Sequence, residues 1–397
     1  SGGDGGMKWE KKKLCECTEY ITDGDHQPAP KADKGVHFIK IKDIVNNQVS
    51  FDAQVYVPQE YYDNLPMERK PQKEDVLYTV VGSFGIPSYV QTDELFCFER
   101  NIALLHPNKD IEPRFLYYSL KNPAFYKGVE IVANGSAQKL IPLSKLKDLK
   151  ISVPDKEAQR HIADILSAYD DLIENNQKQI KLLEEAAQRL YKEWFVDLRF
   201  PGHENTKIVD GVPEGWNEKT LSQVANVIMG QSPKSEFYNS EKKGLPFHQG
   251  VGSYGVRFVM EDIYSTSYTR IAEPNSILFS VRAPVGRLNI TKNKVVIGRG
   301  LAAINQTDGC QSYLYYLLKN KFFKDNIVGN GSIFASVSKD ELLNQKFLIP
   351  ERNLMMQFEK IVSQMDKQIE NLDSKNKRLI EARDRLLPKL MSGEVEV

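Results

Sequence analysis

The chain has 397 residues, of which 41% are hydrophobic and 27% are charged, so its composition is that of an ordinary soluble protein and excludes a disordered one. This length exceeds one ordinary core and predicts two or three domains. The 53 basic and 53 acidic residues give a formal net charge of zero, so an anionic partner has to meet a local basic patch.

The N-terminal residues, the apolar runs and the cysteines indicate the cellular compartment that is expected for the protein. Residues 1–6, which precede Met7, are predicted to be an expression-tag remnant. No apolar run approaches the roughly 18 residues of a membrane span, and a cytoplasmic location is expected. Cys15, Cys17, Cys97 and Cys310 offer no second pair at zinc spacing and are expected to stay reduced.

The first half of the chain starts with β-rich runs and ends with a long amphipathic helix. Runs of apolar, aromatic and β-branched residues predict strands at 35–39, 76–81, 95–98 and 102–105. Short helices are predicted at 113–121 and 124–132. The long helix is predicted over 155–200, and its apolar residues alternate in steps of four and three, with Asn176 as a polar exception. This is the a/d seam of a coiled coil, which needs a partner helix to bury it.

The second half repeats this order. Strand-like runs at 256–260, 277–281 and 301–304 precede helices predicted at 311–320 and 322–328. A second long helix is predicted over 351–397, with the same seam steps, one asparagine at Asn376, and Pro388 expected to end or bend it.

The two halves are related as copies. The helix seams, the prolines Pro154 and Pro350, and the Asn-Gly-Ser triplets at 134–136 and 330–332 all repeat after 196 positions. The chain is therefore predicted to be a duplication of one unit, with a β-rich part followed by a long helix.

No catalytic motif emerges from the sequence. Residues 250–255 match G-x-G-x-x-G, but strand-like residues follow where a dinucleotide site needs a helix, so a flexible glycine-rich loop is the better interpretation. The sequence has no P-loop, H-E-x-x-H or G-x-S-x-G motif, and its six histidines lack ligand spacing. We predict no catalytic residues and no metal site.

The strongest chemical signal is a basic run without acids at 282–299. It is a candidate phosphate-facing surface, and a solvated hairpin is the stronger alternative on charge alone. In the first unit acids are interspersed with the lysines, so the signal there is weaker. The candidate nucleic-acid-contacting residues are Lys31, Lys34, Lys40, Lys42, Lys70 and Lys73 in the first unit, and Lys243, His248, Gln249, Tyr254, Arg257, Arg282, Arg287, Lys292, Lys294 and Arg299 in the second.

Several short motifs, each weak alone, recur in order. Pro213-Glu214-Gly215-Trp216 opens the second unit, and segments 151–154 and 347–350 each end in proline before a glutamine, Gln159 or Gln357, and a long helix. With the Asn-Gly-Ser triplets, this order resembles the specificity (S) subunit of type I restriction–modification enzymes over nearly the whole chain from Met7.

The resemblance implies an α+β fold with two pseudo-symmetric α/β target recognition domains, separated by two long antiparallel helices that form a coiled coil. The implied domains are 7–154 and 201–350, and the implied conserved helices are 155–200 and 351–397. Each domain would read one half of a bipartite, asymmetric site in double-stranded DNA, and the helices would act as a ruler between the halves.

The resemblance also implies partners. Methyltransferase (M) subunits would dock around the helices, and restriction (R) subunits would complete the nuclease. S-adenosylmethionine, ATP and magnesium would belong to those partners, and this chain would be non-catalytic with no cofactor of its own.

The seams predict a register for the helix pair. The antiparallel register that places Asn176 opposite Asn376 also places Ile180 opposite Leu372. A polar residue in a seam costs stability unless it finds a partner, and it then fixes the register. The alternative, exposed asparagines at a frayed seam, stays open. The predicted helix-pairing residues are Ile173, Asn176, Ile180, Leu183, Ile369, Leu372, Asn376 and Leu379.

Two other function classes compete with DNA recognition. A coiled-coil scaffold would join proteins without reading DNA, so its DNA binding would show no sequence preference. A nucleotide-dependent enzyme using the glycine-rich loop would bind a cofactor as the isolated chain.

Overall fold

The computed structural model describes residues 8–133, 140–322, 336–395 and 397. The chain packs as two compact units, the first of Ser1–Asn176 with Ser374–Val397 and the second of Gln177–Asp373. Both Asn-Gly-Ser triplets and most of the helix predicted at 322–328 lie outside the described residues. The domain limits expected from the sequence remain a prediction.

The first half of the chain consists of short β-strands and short α-helices, and it ends with one long α-helix. Its strands are β1 Glu10–Lys13, β2 Thr18–Asp23, β3 Val36–Ile39, β4 Ile44–Val45, β5 Gln48–Val49, β6 Tyr56–Val57, β7 Val76–Thr79, β8 Pro87–Tyr89, β9 Phe96–Phe98, β10 Ile102–Pro107 and β11 Lys150–Val153. Its helices are α1 Leu14–Cys17, α2 Gln59–Asp63, α3 Pro113–Lys121, α4 Pro123–Ala133, α5 Leu143–Asp148 and the long α6 Lys156–Tyr191.

The second half follows the same plan. Its strands are β12 Ile208–Val209, β13 Val212–Pro213, β14 Asn217–Thr220, β15 Ala225–Met229, β16 Tyr238–Asn239, β17 Leu245–His248, β18 Tyr264–Ser265, β19 Ile271–Ala272, β20 Ile277–Ser280, β21 Leu288–Ile290, β22 Val295–Ile297, β23 Leu301–Gln306 and β24 Lys346–Ile349. Its helices are α7 Leu221–Val224, α8 Gln311–Phe322, α9 Lys339–Leu343 and the long α10 Arg352–Ser392, and a π-helical turn at Lys192–Val196 prolongs α6.

The two units share one sheet topology. A four-stranded antiparallel sheet has the order β2-β10-β7-β8 in the first unit and β15-β23-β20-β21 in the second. A second sheet holds a parallel pair, β3 with β9 in the first unit and β17 with β22 in the second. A two-stranded ladder, β1 with β11 or β14 with β24, precedes each long helix.

The central strands read as continuous apolar runs because both of their faces are buried. In β7, Val76 and Tyr78 enter the core that includes α3, whereas Leu77 enters the core under the parallel pair. In β20, Phe279 enters the core that includes α8, whereas Leu278 enters the core under the parallel pair of the second unit. Since successive strand residues point to opposite faces, each four-stranded sheet serves two cores at once.

The long helices pack antiparallel within each unit. In the first unit the start of α6, with Ile162 and Leu166, shares a core with the end of α10, with Leu387 and Leu390. In the second unit the end of α6 and the start of α10 share the other core, and the rings of Tyr191 and Phe358 lie 5.9 Å apart.

The asparagines meet as the register predicts. Asn176 Nδ2 donates a hydrogen bond to Asn376 Oδ1 at 2.7 Å, and Asn376 Nδ2 donates to the carbonyl oxygen of Ile173 at 3.3 Å. Both side chains are buried, at 8% and 6% exposure. Ile180 and Leu372 are buried in the core of the second unit, and Leu183 packs against it. The alternative of exposed asparagines at a frayed seam is therefore wrong.

The α+β fold class, the two repeated domains and the long antiparallel helices are confirmed. The predictions of a strand at 256–260 and of an end of the second long helix at Pro388 are wrong. Residues 256–260 form no strand and contribute only isolated bridges at Phe258 and Val259. Helix α10 continues through Pro388 to Ser392, because Leu387, Leu390 and Met391 bury its last turns in the first unit's core and offset the missing backbone hydrogen bond.

Within the described ranges, none of the helices combines the length and apolar composition that a bilayer crossing demands.

The asparagine pair can be tested by unfolding. Asn176→Leu is expected to lower the free energy of unfolding by about 1 to 3 kcal/mol, because the amide of Asn376 loses its buried partner. The double variant Asn176→Leu/Asn376→Leu removes both amides and is expected to recover that loss. Urea denaturation followed by circular dichroism gives both values.

The matched control is Asn175→Leu, the same substitution at the exposed neighbouring position. If Asn176→Leu costs no more than Asn175→Leu, the buried pair does not contribute as described.

Candidate nucleic-acid interface

Polar side chains gather in the second unit where the parallel strands β17 and β22 end. Gln249 directly follows β17, and Gly298 and Arg299 follow β22. Because the carboxyl ends of parallel strands meet at one sheet edge, Gln249 and Arg299 are brought side by side. The Gly298 backbone N–H donates to the carbonyl oxygen of His248 at 2.8 Å, which ties the two segments together.

Ser232 links these two residues. Its hydroxyl donates to Gln249 Oε1 at 2.7 Å and accepts from the backbone N–H of Arg299 at 3.1 Å. The side chains of Gln249 and Arg299 are exposed and Ser232 is half-buried. Because they lie at this sheet edge in the second unit, Ser232, Gln249 and Arg299 are called the second edge set. It offers a planar amide and a guanidinium to solvent from rigid strand ends.

The other predicted basic residues of the second unit lie around this set. Arg282 and Arg287 are exposed beside the β20–β21 turn. Lys292 is half-buried, lies 2.5 Å from Asp373 of α10 and sits over the Phe258 ring. Lys294 lies 3.1 Å from Glu273, and Lys243 lies 2.5 Å from Glu241. Their role in nucleic-acid contact stays a prediction.

The predicted lysines of the first unit lie on separate segments. Lys31, Lys34, Lys42 and Lys73 are exposed, and Lys73 lies 3.8 Å from Asp93. Lys70 is half-buried, donates to the Asp63 carbonyl oxygen at 2.9 Å and lies over the Tyr62 ring. Lys40 is half-buried and directly follows β3.

For His248 and Arg257, burial contradicts the predicted contact with nucleic acid. A third predicted residue, Tyr254, is hydrogen-bonded inside the protein. His248 is fully buried, its Nδ1 is 2.8 Å from the Ser253 hydroxyl, and desolvation lowers its pKa to about 4, so it is neutral and cannot face a phosphate. Arg257 is 2% exposed and cannot reach DNA. Tyr254 is half-buried, donates its hydroxyl to the Leu278 carbonyl oxygen at 2.9 Å, and burial raises its pKa.

Arg257 instead binds the β-rich part of the second unit to both long helices. Its guanidinium lies 3.3 Å from Glu184 Oε1 of α6 and 2.6 Å from Asp366 Oδ1 of α10. It also donates to the Tyr316 hydroxyl at 3.2 Å and stacks 3.9 Å from the Tyr315 ring centroid. A buried cation needs this degree of pairing, because it has lost its hydration.

The first unit has a related charge cluster. Asp170, which aligns with Asp366 across the repeat, accepts the Tyr118 hydroxyl at 2.6 Å and an ion pair from Arg383. Here the arginine comes from the long helix α10, and not from the β-rich part. Sequence reasoning missed both clusters, although the repeated pair Asp170 and Asp366 was a signal that could have found them.

Within the described residues, no group of three or more His, Cys, Asp or Glu side chains is arranged to hold a metal ion.

Comparison with known proteins identifies the family. The model of the type I restriction modification DNA specificity domain matches twice, over residues 7–185 and 213–382. The chain belongs to the family of type I restriction–modification DNA specificity subunits. Family membership supports the DNA-recognition hypothesis and not the coiled-coil scaffold.

Individual relatives agree with this assignment. The chain is 30% identical to the "Putative type I restriction enzyme MjaX specificity subunit" of Methanocaldococcus jannaschii, covering 98% of this chain and 94% of that protein. It is 25% identical to the HindI specificity subunit of Haemophilus influenzae, covering 91% and 94%. Its fold is similar to the crystal structure of a type I restriction–modification S subunit from M. genitalium, with a TM-score of 0.60, 19% identity and 98% coverage of both chains.

The role of Arg257 can be tested by substitution. Arg257→Met is expected to lower the free energy of unfolding of the second unit by about 3 kcal/mol, because Glu184 and Asp366 are left without their cation. Adding Glu184→Gln and Asp366→Asn is expected to recover part of that loss. Urea denaturation is the measurement.

Arg270→Met, at an exposed arginine of the same unit, is the control. Equal stabilities of the Arg257→Met and Arg270→Met variants would show that the buried cluster is not stabilising.

Proposed function

We propose that this chain is the non-catalytic DNA-recognition subunit of a type I restriction–modification complex, in which each recognition domain reads one half of a bipartite, asymmetric site. The single observation that carries the proposal is that the DNA specificity domain occurs twice in one chain. Two different copies in one protein suit two different half-sites.

Exposed cations and polar side chains supply two kinds of contact. Arg282, Arg287 and the exposed lysines suit phosphate oxygens, which position a protein on the duplex without reading its sequence. The amide of Gln249 and the guanidinium of Arg299 have the donor and acceptor geometry that reads base edges in the major groove.

The long helices are proposed to set the spacer between the half-sites and to dock methyltransferase subunits. Helix α6 has 36 residues, so it spans roughly 54 Å at about 1.5 Å per residue. At about 3.4 Å per base pair, that length corresponds to an upper limit of about 16 base pairs between half-site centres. A helix pair with a fixed register suits a spacer of fixed length.

The chemistry is assigned to partner subunits. S-adenosylmethionine would be bound by the methyltransferase subunits, and ATP and magnesium by restriction subunits. A recognition subunit works on the chromosome of the cell, so the proposed location is the cytoplasm.

Selection from a randomised double-stranded DNA library tests the proposal. The full chain is expected to enrich two short sequence blocks separated by a spacer of fixed length and free sequence. The preference for the enriched duplex over a scrambled one is expected to survive as salt rises, because base contacts persist when counterion release no longer favours binding.

Enrichment of no sequence, or a preference that disappears with non-specific binding as salt rises, would support the scaffold alternative and contradict DNA recognition.

A further inference from the structure

The first unit has its own parallel strand ends, at the place that corresponds to the second edge set. Ile39 of β3 lies opposite Phe98 of β9, as His248 of β17 lies opposite Ile297 of β22. The residues that follow are Lys40 and Arg100 in the first unit, so Lys40 corresponds to Gln249 and Arg100 to Arg299.

In both units, an equivalent backbone hydrogen bond joins the ends of the two parallel strands. The Glu99 backbone N–H donates to the Ile39 carbonyl oxygen at 3.0 Å, matching the bond from Gly298 to His248 at 2.8 Å. Arg100 is exposed, and Lys40 is half-buried. The two side chains therefore start from hydrogen-bonded strand ends and not from long mobile loops.

A glycine brings a third segment to each edge. Gly24 follows β2, and a Cβ there would lie 2.2 Å from the Phe98 carbonyl oxygen. Gly230 follows β15, and a Cβ there would lie 2.0 Å from the Gly298 carbonyl oxygen. No side chain fits in either place, so the backbone packs directly on the strand end.

Two positions beyond each glycine stands a polar residue, His26 in the first unit and Ser232 in the second. His26 is exposed, and its Nε2 lies 3.0 Å from Asp23 Oδ2. His26, Lys40 and Arg100 are called the first edge set. Three segments thus place three polar residues at the same sheet edge in both units.

Resting on the proposed function, we infer that the two edge sets are the base-reading parts of the two recognition domains, with Arg100 as a specificity-determining residue alongside Arg299. The arginine is common to both sets, and the other two positions differ. The half-sites are therefore asymmetric because equivalent positions carry His26 and Lys40 in one domain and Ser232 and Gln249 in the other.

The second edge set is pre-oriented for adenine and guanine. The Ser232 hydroxyl already accepts from Arg299, so its own hydrogen is directed to Gln249 Oε1 and fixes the amide plane. One lone pair of Oε1 and both hydrogens of Nε2 remain, which is the acceptor and donor pair that reads adenine N6 and N7. The Arg299 fork matches guanine O6 and N7.

The first edge set favours guanine. Lys40 and Arg100 are donors only, and guanine presents two acceptors, N7 and O6, in the major groove. A half-site richer in guanine is expected for the first domain, and one that contains both adenine and guanine is expected for the second.

Replacing arginine by lysine separates base reading from charge. Arg299→Lys keeps the positive charge for phosphate but loses the bidentate fork. In selection of the full chain from a randomised duplex library, we expect a loss of discrimination of up to about 150-fold at positions of one half-site, because a lysine ammonium can still donate to guanine but lacks the planar fork. Arg100→Lys is expected to cause the same loss in the other half-site only, and Gln249→Ala to relax an adenine position beside the one that Arg299 reads.

Arg199→Lys is the matched control, because Arg199 is exposed and lies outside both edge sets. Thermal unfolding of all variants is expected to match that of the original chain, since the substituted side chains are exposed.

The outcomes separate the inference from the proposed function. If the original chain enriches two blocks and the variants enrich the same blocks unchanged, base reading by the edge sets is contradicted while DNA recognition stands. Loss of preference in the same half-site for both Arg100→Lys and Arg299→Lys also contradicts it. If the original chain enriches no sequence, the proposed function itself fails.

Discussion

A buried hydrogen bond between the amides of Asn176 and Asn376 fixes which parts of the two long helices meet. The seam around them is apolar, and a buried amide without a hydrogen-bond partner there costs about 1 to 3 kcal/mol of folding stability. Shifting either helix by one heptad would separate the asparagines, and at least one of them would lie opposite an aliphatic side chain, Ile369 or Leu183. Only the observed register pairs them, and that register brings Ile162 and Leu166 of α6 into one core with Leu387 and Leu390 of α10.

The charge clusters tie each recognition part to this helix pair in a different way. Asp170 and Asp366 are copies of one position, and each accepts an arginine in a partly buried setting. In the second unit the arginine is Arg257, which comes from the recognition part itself and reaches both helices. In the first unit it is Arg383 of α10, and the Tyr118 hydroxyl supplies the link to the recognition part. The same position of the repeat therefore pairs with an arginine in both units, but the arginine comes from a different element in each.

The helical half of the fold was predictable from the sequence because its signals are local and periodic. The seam steps predicted the helix pair, and the asparagines predicted its register. The burial of His248 and Arg257 was not predictable, since a basic residue beside a glycine-rich loop reads the same whether it faces solvent or an acid on another element. Arg100 was missed because its neighbour Lys40 comes from a strand far away in the chain, and only the parallel pairing of β3 with β9 brings them together.

Inserting one heptad after Asn176 in α6 and one before Asn376 in α10 tests most directly whether the helix pair sets the distance between half-sites. The asparagine pair and the seam are kept, and each helix gains about 10 Å, close to three base pairs. Selection from a randomised duplex library is expected to return the same two sequence blocks with a spacer longer by about three base pairs. An unchanged spacer, or changed blocks, would contradict a helical ruler.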